Sequence, residues 1–419
     1  MLFRFSLYGF LKNQRYFEPF LVLIFLEKGL SFFLIGLLIG FREVAVNLLE
    51  IPSGAIADLF GRRKSMILSF VAYIASFAVF GLARNIGLLF VAMSLFAVGE
   101  AFRTGTHKAM IFTWLRLQDR TDERTKVYGY TRSWSKYGSA LSVILAAVFV
   151  YTSDSYTYVF YFSIIPYLMG LINFLGYPAE LDGNPEKSPS LSGIVQHLKE
   201  TFKLTFTRAG LRRLVLESMG FEGVFHAVKD YLQPVLKAAA LIGAAHWVTT
   251  STMSETQQAT LLVGPVYFVL YLLSGAASRQ AHRIATLSGG EDGAAVRLWA
   301  ATLILFAILG VAAYYEVNPL LIALFVLLHV IQNFWRPTLI SRFDAYGSES
   351  QGATVLSIES QSRRAATMVI APLLGLVVDQ VQASQLGGPF WPVGVLGVLV
   401  ALGFLLTAPK SSGKQPAEC

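Results

Sequence analysis

The chain has 419 residues, of which 54% are hydrophobic and 14% charged, with a mean hydropathy of +0.55. Soluble domains carry about 25% charged residues, so apolar surface on this scale is expected to face lipid, and the net charge of +8 does not mark a nucleic-acid binder. The one cysteine, Cys419, cannot close an internal disulfide, and neither a glycosylation sequon nor an apolar leader is visible.

Apolar runs of about 20 residues, the length that crosses a bilayer as a helix, succeed one another along the chain. The first six cover 4–28, 33–57, 66–83, 87–115, 127–152 and 156–177. A polar stretch at 178–193 and an amphipathic basic segment at 194–208 interrupt the pattern, the latter expected on the cytoplasmic surface. Six more runs follow at 211–236, 257–279, 297–316, 319–341, 353–378 and 390–408. The expectation is an all-α polytopic protein of twelve membrane helices in two six-helix repeats. Its parts are an N-terminal bundle (1–177), a linker (178–208) and a C-terminal bundle with a short tail (209–419). Loop Lys and Arg lie mostly on one side, with Lys28, Arg84 and Lys237 on the other, which places both termini in the cytoplasm.

Between the second and third runs stands GAIADLFGRRK (54–64). In order and spacing it resembles the signature loop of the major facilitator superfamily. Gly54, Ala57, Asp58, Gly61, Arg62 and Arg63 fall on the pattern, while Leu59 replaces the base that follows the acid. The resemblance implies a secondary transporter working by alternating access. It also implies a gate at Gly54, Asp58, Gly61, Arg62 and Arg63 that holds the outward-facing state. A second, fainter copy in GAASRQAHR (275–283) is read as the matching loop of the second half, with Ser278 in the place of the acid. The fifth run lacks the G-x-x-x-G-P of many drug antiporters of the superfamily, and AFRTGTHKAMIF with TRSWS is similar to a bacterial subgroup of it.

Ionisable residues inside the runs cost about 2.5–3.5 kcal/mol each to insert, so they persist where they are paired, hydrated or used. The first run carries Arg15 and Glu18 at i, i+3, followed by Pro19. The fourth aligns Glu100, Arg103, Thr104 and His107 along one stripe, with Lys108 beside it. Glu43 and Glu50 lie a heptad apart in the second, and Arg132 and Lys136 a turn apart in the fifth. The seventh holds Glu222, His226, Lys229 and Asp230, with His226 and Asp230 expected to pair and Gly220 and Gly223 to permit local unwinding. Arg336 sits in the tenth. In the eleventh Arg363 and Arg364 are adjacent, so one is expected to line a cavity and the other to meet a neighbouring helix.

The reading is therefore a proton-coupled transporter of a small anionic or zwitterionic solute in a bacterial inner membrane. The expected substrate site is Arg15, Glu18, Arg103, His107, Lys108, Arg132, Glu222, His226, Lys229, Arg336 and Arg363. Glu18, Glu100, Glu222 and Asp230 are the expected proton carriers. Arginine favours such solutes because its planar fork matches carboxylate and phosphate. Two alternatives stand beside it: an exporter of metals or cationic drugs, and a non-transporting sensor or scaffold. The absence of G-x-x-x-x-G-K-S/T, H-E-x-x-H and G-x-S-x-G motifs argues against ATP hydrolysis and the common hydrolases. A monomer in the lipid bilayer is expected, with a small-molecule or ion substrate, no cofactor, no metal site, no enzymatic activity and no nucleic-acid partner.

Overall fold

The computed structural model describes residues 1–182, 207–247, 253–344 and 352–408. The linker and its amphipathic segment fall outside these, apart from the ends 178–182 and 207–208. Helices follow one another with no strand among the described residues. Eight are long and apolar enough to cross a membrane, and Leu2–Leu11, Val159–Leu175 and Trp391–Leu406 are shorter apolar helices.

Twelve spans result among the described residues. The first is broken: helix Leu2–Leu11, an irregular stretch at 12–17, a 3-10 turn Glu18–Phe20, and helix Leu21–Glu27. Spans two and three are Phe32–Phe60 and Arg62–Leu82. Span four is also broken, into Ile86–Arg103 and Thr106–Leu117. Arg124–Ser153 and Val159–Leu175 complete the first half. Span seven starts as Ala209–Ser218, widens into a π-helical turn Met219–Gly223, and continues through Val224–Val228 and a 3-10 turn to Leu232–Trp247. The rest are Glu255–Leu287, Glu291–Tyr314, Asn318–Asp344, Gly352–Ser384 and Trp391–Leu406.

Three differences from the sequence reading have physical causes. The breaks in spans one and four survive because their freed backbone groups find partners inside the protein. The Lys12 carbonyl accepts from Tyr167 Oη (3.1 Å), and the Gln14 side chain anchors the irregular stretch by donating to the Gly138 carbonyl of span five (3.1 Å). At the end of Ile86–Arg103 the carbonyls of Gly99, Ala101 and Phe102 accept from the hydroxyls of Ser69, Ser53 and Ser65 at 2.6, 2.9 and 3.2 Å. Second, GAASRQAHR is no loop: it is the continuous end of Glu255–Leu287, and the turn that follows is Ser288–Gly290. Third, Gly220 and Gly223 widen the helix by one residue per turn and do not unwind it.

The halves meet near the face opposite the one carrying Met1. Span two runs against span eleven with backbones almost touching: a Cβ on Gly36 would lie 2.3 Å from the Ala371 carbonyl oxygen, and one on Gly375 2.2 Å from that of Phe32. Only glycine permits this approach. Asp379 of span eleven takes the N–H groups of Phe32 and Phe33 at 2.9 and 2.8 Å, capping span two from the other half. Gln233 accepts from Val22 N–H (2.7 Å) and donates to the Glu18 carbonyl (3.0 Å), tying span seven to span one. Gln257 donates to the Tyr151 carbonyl (3.1 Å) between spans eight and five. Among the described residues, no hydrogen bond or ion pair between the halves lies nearer the Met1 face than Glu50–Arg364. The molecule is closed at the opposite face.

Candidate functional site

Two polar cavities lie behind this closure. The first, of about 210 Å³, is central and draws residues from both halves. Span one contributes Arg15 and Glu18 from its broken middle, span two Arg42 and Glu43, and span four Glu100. Span seven contributes His226, Lys229 and Asp230, and span eleven Arg363 and Arg364.

Its charges are almost all neutralised locally. Glu100 is the hub of the first half: Arg103 and Tyr73 Oη donate to it, and Arg15 approaches at 3.4 Å. Arg15 also lies 3.8 Å from Glu18, whose other oxygen accepts from Tyr271 Oη of span eight (3.3 Å). Arg42 donates to the neighbouring Glu43 (2.5 Å), and Lys229 to the neighbouring Asp230 (2.8 Å). Arg364 turns back toward Glu50 of span two at 4.0 Å, whereas Arg363 has no ion-pair partner among the described residues.

In the second half, Arg336 forks onto both oxygens of Glu359 (2.6 and 3.0 Å), which also accepts from Ser218 (2.7 Å). Glu222, on the π-turn, is 1% exposed. It accepts from Gln332 at 3.3 and 3.2 Å, and His226 Nε2 lies 3.8 Å away. His226 therefore faces Glu222 and not Asp230, which Lys229 occupies. One turn separates each pair on the helix, and the adjacent lysine decides which pair forms.

The second cavity, of about 400 Å³, lies in the first half between spans one, four and five. Lys12, Arg103, Lys108, Arg132 and Lys136 line it with His107, and no carboxylate does. His107 stacks on Tyr8 (3.8 Å between ring centres) and lies 3.3 Å from Tyr177 Oη.

The stripe expected on span four is thus divided. The break at Thr104–Gly105 leaves Glu100 in the central cavity and puts His107 and Lys108 in the second, with Arg103 in the wall between them. The expected substrate site holds seven Lys and Arg residues: Arg15, Arg103, Lys108, Arg132, Lys229, Arg336 and Arg363. Four of them, Arg15, Arg103, Lys229 and Arg336, hold carboxylates. Lys108, Arg132 and Arg363 of that set have no acid among the described residues, and Lys12 and Lys136 join them from outside the expected site. Tyr73 and Gln332, which meet Glu100 and Glu222, are further polar residues that the sequence gives no spacing signal for.

At the Met1 face, Gly61 adopts φ 104°, a conformation that favours glycine, and turns the chain from span two into span three. Arg62 donates to Thr113 Oγ1 at the end of span four (2.9 Å). Arg63 donates its backbone N–H to Asp182 (2.6 Å) and its guanidinium to the Tyr177 carbonyl (2.9 Å) at the end of span six. These bonds hold the loop within its own half. Gly54 is an ordinary helical position with open space around it, and the Asp58 side chain lies outside the described ones.

Comparison with known proteins agrees with this architecture. A similar curated protein is an uncharacterised MFS-type transporter, YxaM, of Bacillus subtilis (strain 168). It is 23% identical over 224 residues, 52% of this chain and 54% of the relative, so the match spans about half the relative's length. Among solved structures, the nucleoside transporter NupG superposes with a TM-score of 0.76 at 11% identity, covering 97% of this chain and 98% of its own. A D-xylose-proton symporter gives 0.69 at 17%, covering 99% and 98%. A POT family transporter in complex with 5-aminolevulinic acid gives 0.70 at 15%, covering 97% and 96%. The sequence model of the Major Facilitator Superfamily matches residues 13–289, and with twelve spans in two halves around a charged central cavity, the chain belongs to that superfamily.

Proposed function

We propose that the protein is a secondary transporter, not an enzyme, which moves a small anionic or zwitterionic solute through the central cavity by alternating access coupled to protons. The observation that supports this reading is the cavity between the halves, where acids and bases alternate and Arg363 is left over. A solute with both signs of charge would exchange partners with these pairs, and a carboxylate would meet Arg363 in the fork geometry that guanidinium offers. The embedded acids, which a cation or metal exporter needs free, mostly hold bases.

Glu222 is the favoured proton carrier of the four expected. Glu100 and Asp230 are held by permanent cations, and Glu18 is the most exposed. Glu222 instead faces a neutral amide and an imidazole in a nearly sealed pocket. A proton there removes a buried charge, which gives the two conformations a reason to differ in protonation. The solute-binding group would be Arg15, Glu18, His226, Lys229 and Arg363. The signature loop, Asp58 included, would gate the Met1 face, which the bias of basic loop residues puts in the cytoplasm of a bacterial cell.

The test is uptake into proteoliposomes from panels of amino acids, organic acids, nucleosides, sugars and cations, with and without an imposed pH gradient. Accumulation of an acid or zwitterion under the gradient is expected. Glu222→Gln should abolish gradient-driven accumulation while leaving counterflow exchange. Accumulation of cations only would overturn the reading in favour of an exporter, and no flux of any solute would favour a sensor or scaffold.

A further inference from the structure

The cavity between spans one, four and five differs in kind from the central one. In the central cavity nearly every base has a carboxylate within 4.0 Å. In the second, Lys12, Lys108, Arg132 and Lys136 have no ion-pair partner among the described residues, and the fifth cation, Arg103, holds Glu100 in the wall. Like charges about 4 Å apart repel by about 1 kcal/mol in water and by more where water is sparse. Four unneutralised cations around one space therefore favour whatever brings compensating negative charge.

The local structure keeps them pointed there. Arg132 and Lys136 are one turn apart on span five, so they share a face. Both are exposed although they belong to a membrane span, and the cavity is where that exposure opens. Lys12 Nζ sits 5.8 Å from the Tyr8 ring centre, and Lys108 Nζ 5.5 Å from those of Phe112 and Tyr128. Such contacts hold a cation without cancelling its charge.

The break in span four adds a second, independent source of positive potential. Helix Thr106–Leu117 begins at the cavity wall, behind Gly105 at φ 78° and with no side-chain cap. The N-terminal N–H groups of a helix carry about half a positive charge and receive anions. A Cβ at Gly105 would meet no atom within 4 Å, so the space above this terminus is open.

We infer that this cavity is a binding site for a solute group carrying two or more negative charges on oxygen, as in a phosphate ester or a polycarboxylate. Its 400 Å³ holds more than a bare inorganic ion, since cavities of about 300–1,000 Å³ accept metabolite-sized ligands. The inference deepens the transport reading and rests on it for the solute's passage. Lys12 faces this cavity and Arg15 the central one, and Arg103 and Glu100 divide in the same way. A multiply charged solute would therefore pass from one cavity to the other past these two pairs of residues. Binding itself is measured without transport.

The experiment uses the full chain in nanodiscs of neutral phosphatidylcholine. Pyrophosphate and citrate are titrated against acetate and chloride at matched ionic strength, by calorimetry and thermal shift. Pyrophosphate or citrate should bind and raise the melting temperature where acetate does not. Arg132→Gln with Lys136→Gln should weaken that binding at least ten-fold, and Lys136→Arg should retain it. The ligand-free double variant should melt no lower than the parent, because the substitutions relieve repulsion, so a loss of affinity is not a loss of folding. No preference for multivalent anions would overturn the inference. It would be equally wrong if Arg363→Gln removed binding and the double variant did not, because the anion would then sit in the central cavity. Nanodiscs with phosphatidylglycerol separate a lipid headgroup from a solute: a ten-fold loss of pyrophosphate affinity there would assign the site to lipid. Counterflow of zwitterions through the double variant tests the transport reading separately, and it can survive when the anion site fails.

Discussion

Asp379 is where the closed face should be easiest to open. Its two oxygens accept from the N–H groups of Phe32 and Phe33, 347 and 346 residues away in sequence, and so join span eleven to the start of span two. When the halves part at this face, both N–H groups pass to water, so the interaction belongs to the closed state alone. Hydrogen bonds to a charged group contribute about 1.5–3 kcal/mol each, and because Asp379 is half-buried the lower figure applies. Losing both in Asp379→Ala should cost the closed state about 3 kcal/mol, or roughly 100-fold in the conformational equilibrium at about 1.4 kcal/mol per factor of ten. Asp379→Asn keeps one neutral acceptor and should shift it about 30-fold. The reporter is a cysteine at Ile35, 3% exposed and one turn behind the cap, in a Cys419→Ser background. Its initial rate of alkylation by a membrane-impermeant maleimide in proteoliposomes follows the open population. Rates should rise in the order parent, Asn, Ala. An Asp379→Ala rate within three-fold of the parent would refute the assignment of Asp379 as a latch.

The seam beside this latch makes an opposite prediction. Gly36→Val or Gly375→Val places atoms where the facing carbonyl already stands, so closure should fail, and the same Ile35→Cys reporter should react fast with Asp379 intact. In the second half, Glu359→Gln should lower stability by about 3 kcal/mol in thermal or denaturant unfolding, the low end for a stranded charge because the Arg336 side chain is 35% exposed. Adding Arg336→Met should restore most of that, and a double variant no more stable than the single one would show that the pair does more than neutralise itself.

Most of the spans were legible in the sequence because lipid leaves little choice: a backbone crossing hydrocarbon must bond to itself, so length and hydropathy alone mark eight of the helices outright. The signature loop was legible for a similar reason, since Gly61 and its basic neighbours act through the local turn they make. Pairs within one helical turn, such as Glu100 with Arg103, also follow from spacing. What tertiary structure decided is which charge meets which across spans. Arg15 finds Glu100 across 85 residues, Arg336 finds Glu359, and Asp379 finds the start of span two. These choices paired Arg15, Arg103, Lys229 and Arg336 with carboxylates and left Lys12, Lys108, Arg132 and Lys136 around a different cavity. The break in span four was equally hidden. Gly105 permits it, but the hydroxyls of Ser53, Ser65 and Ser69 on neighbouring spans satisfy the carbonyls before it. A helical stripe assumes an unbroken helix, and whether a membrane helix can break depends on partners that only the packed protein supplies.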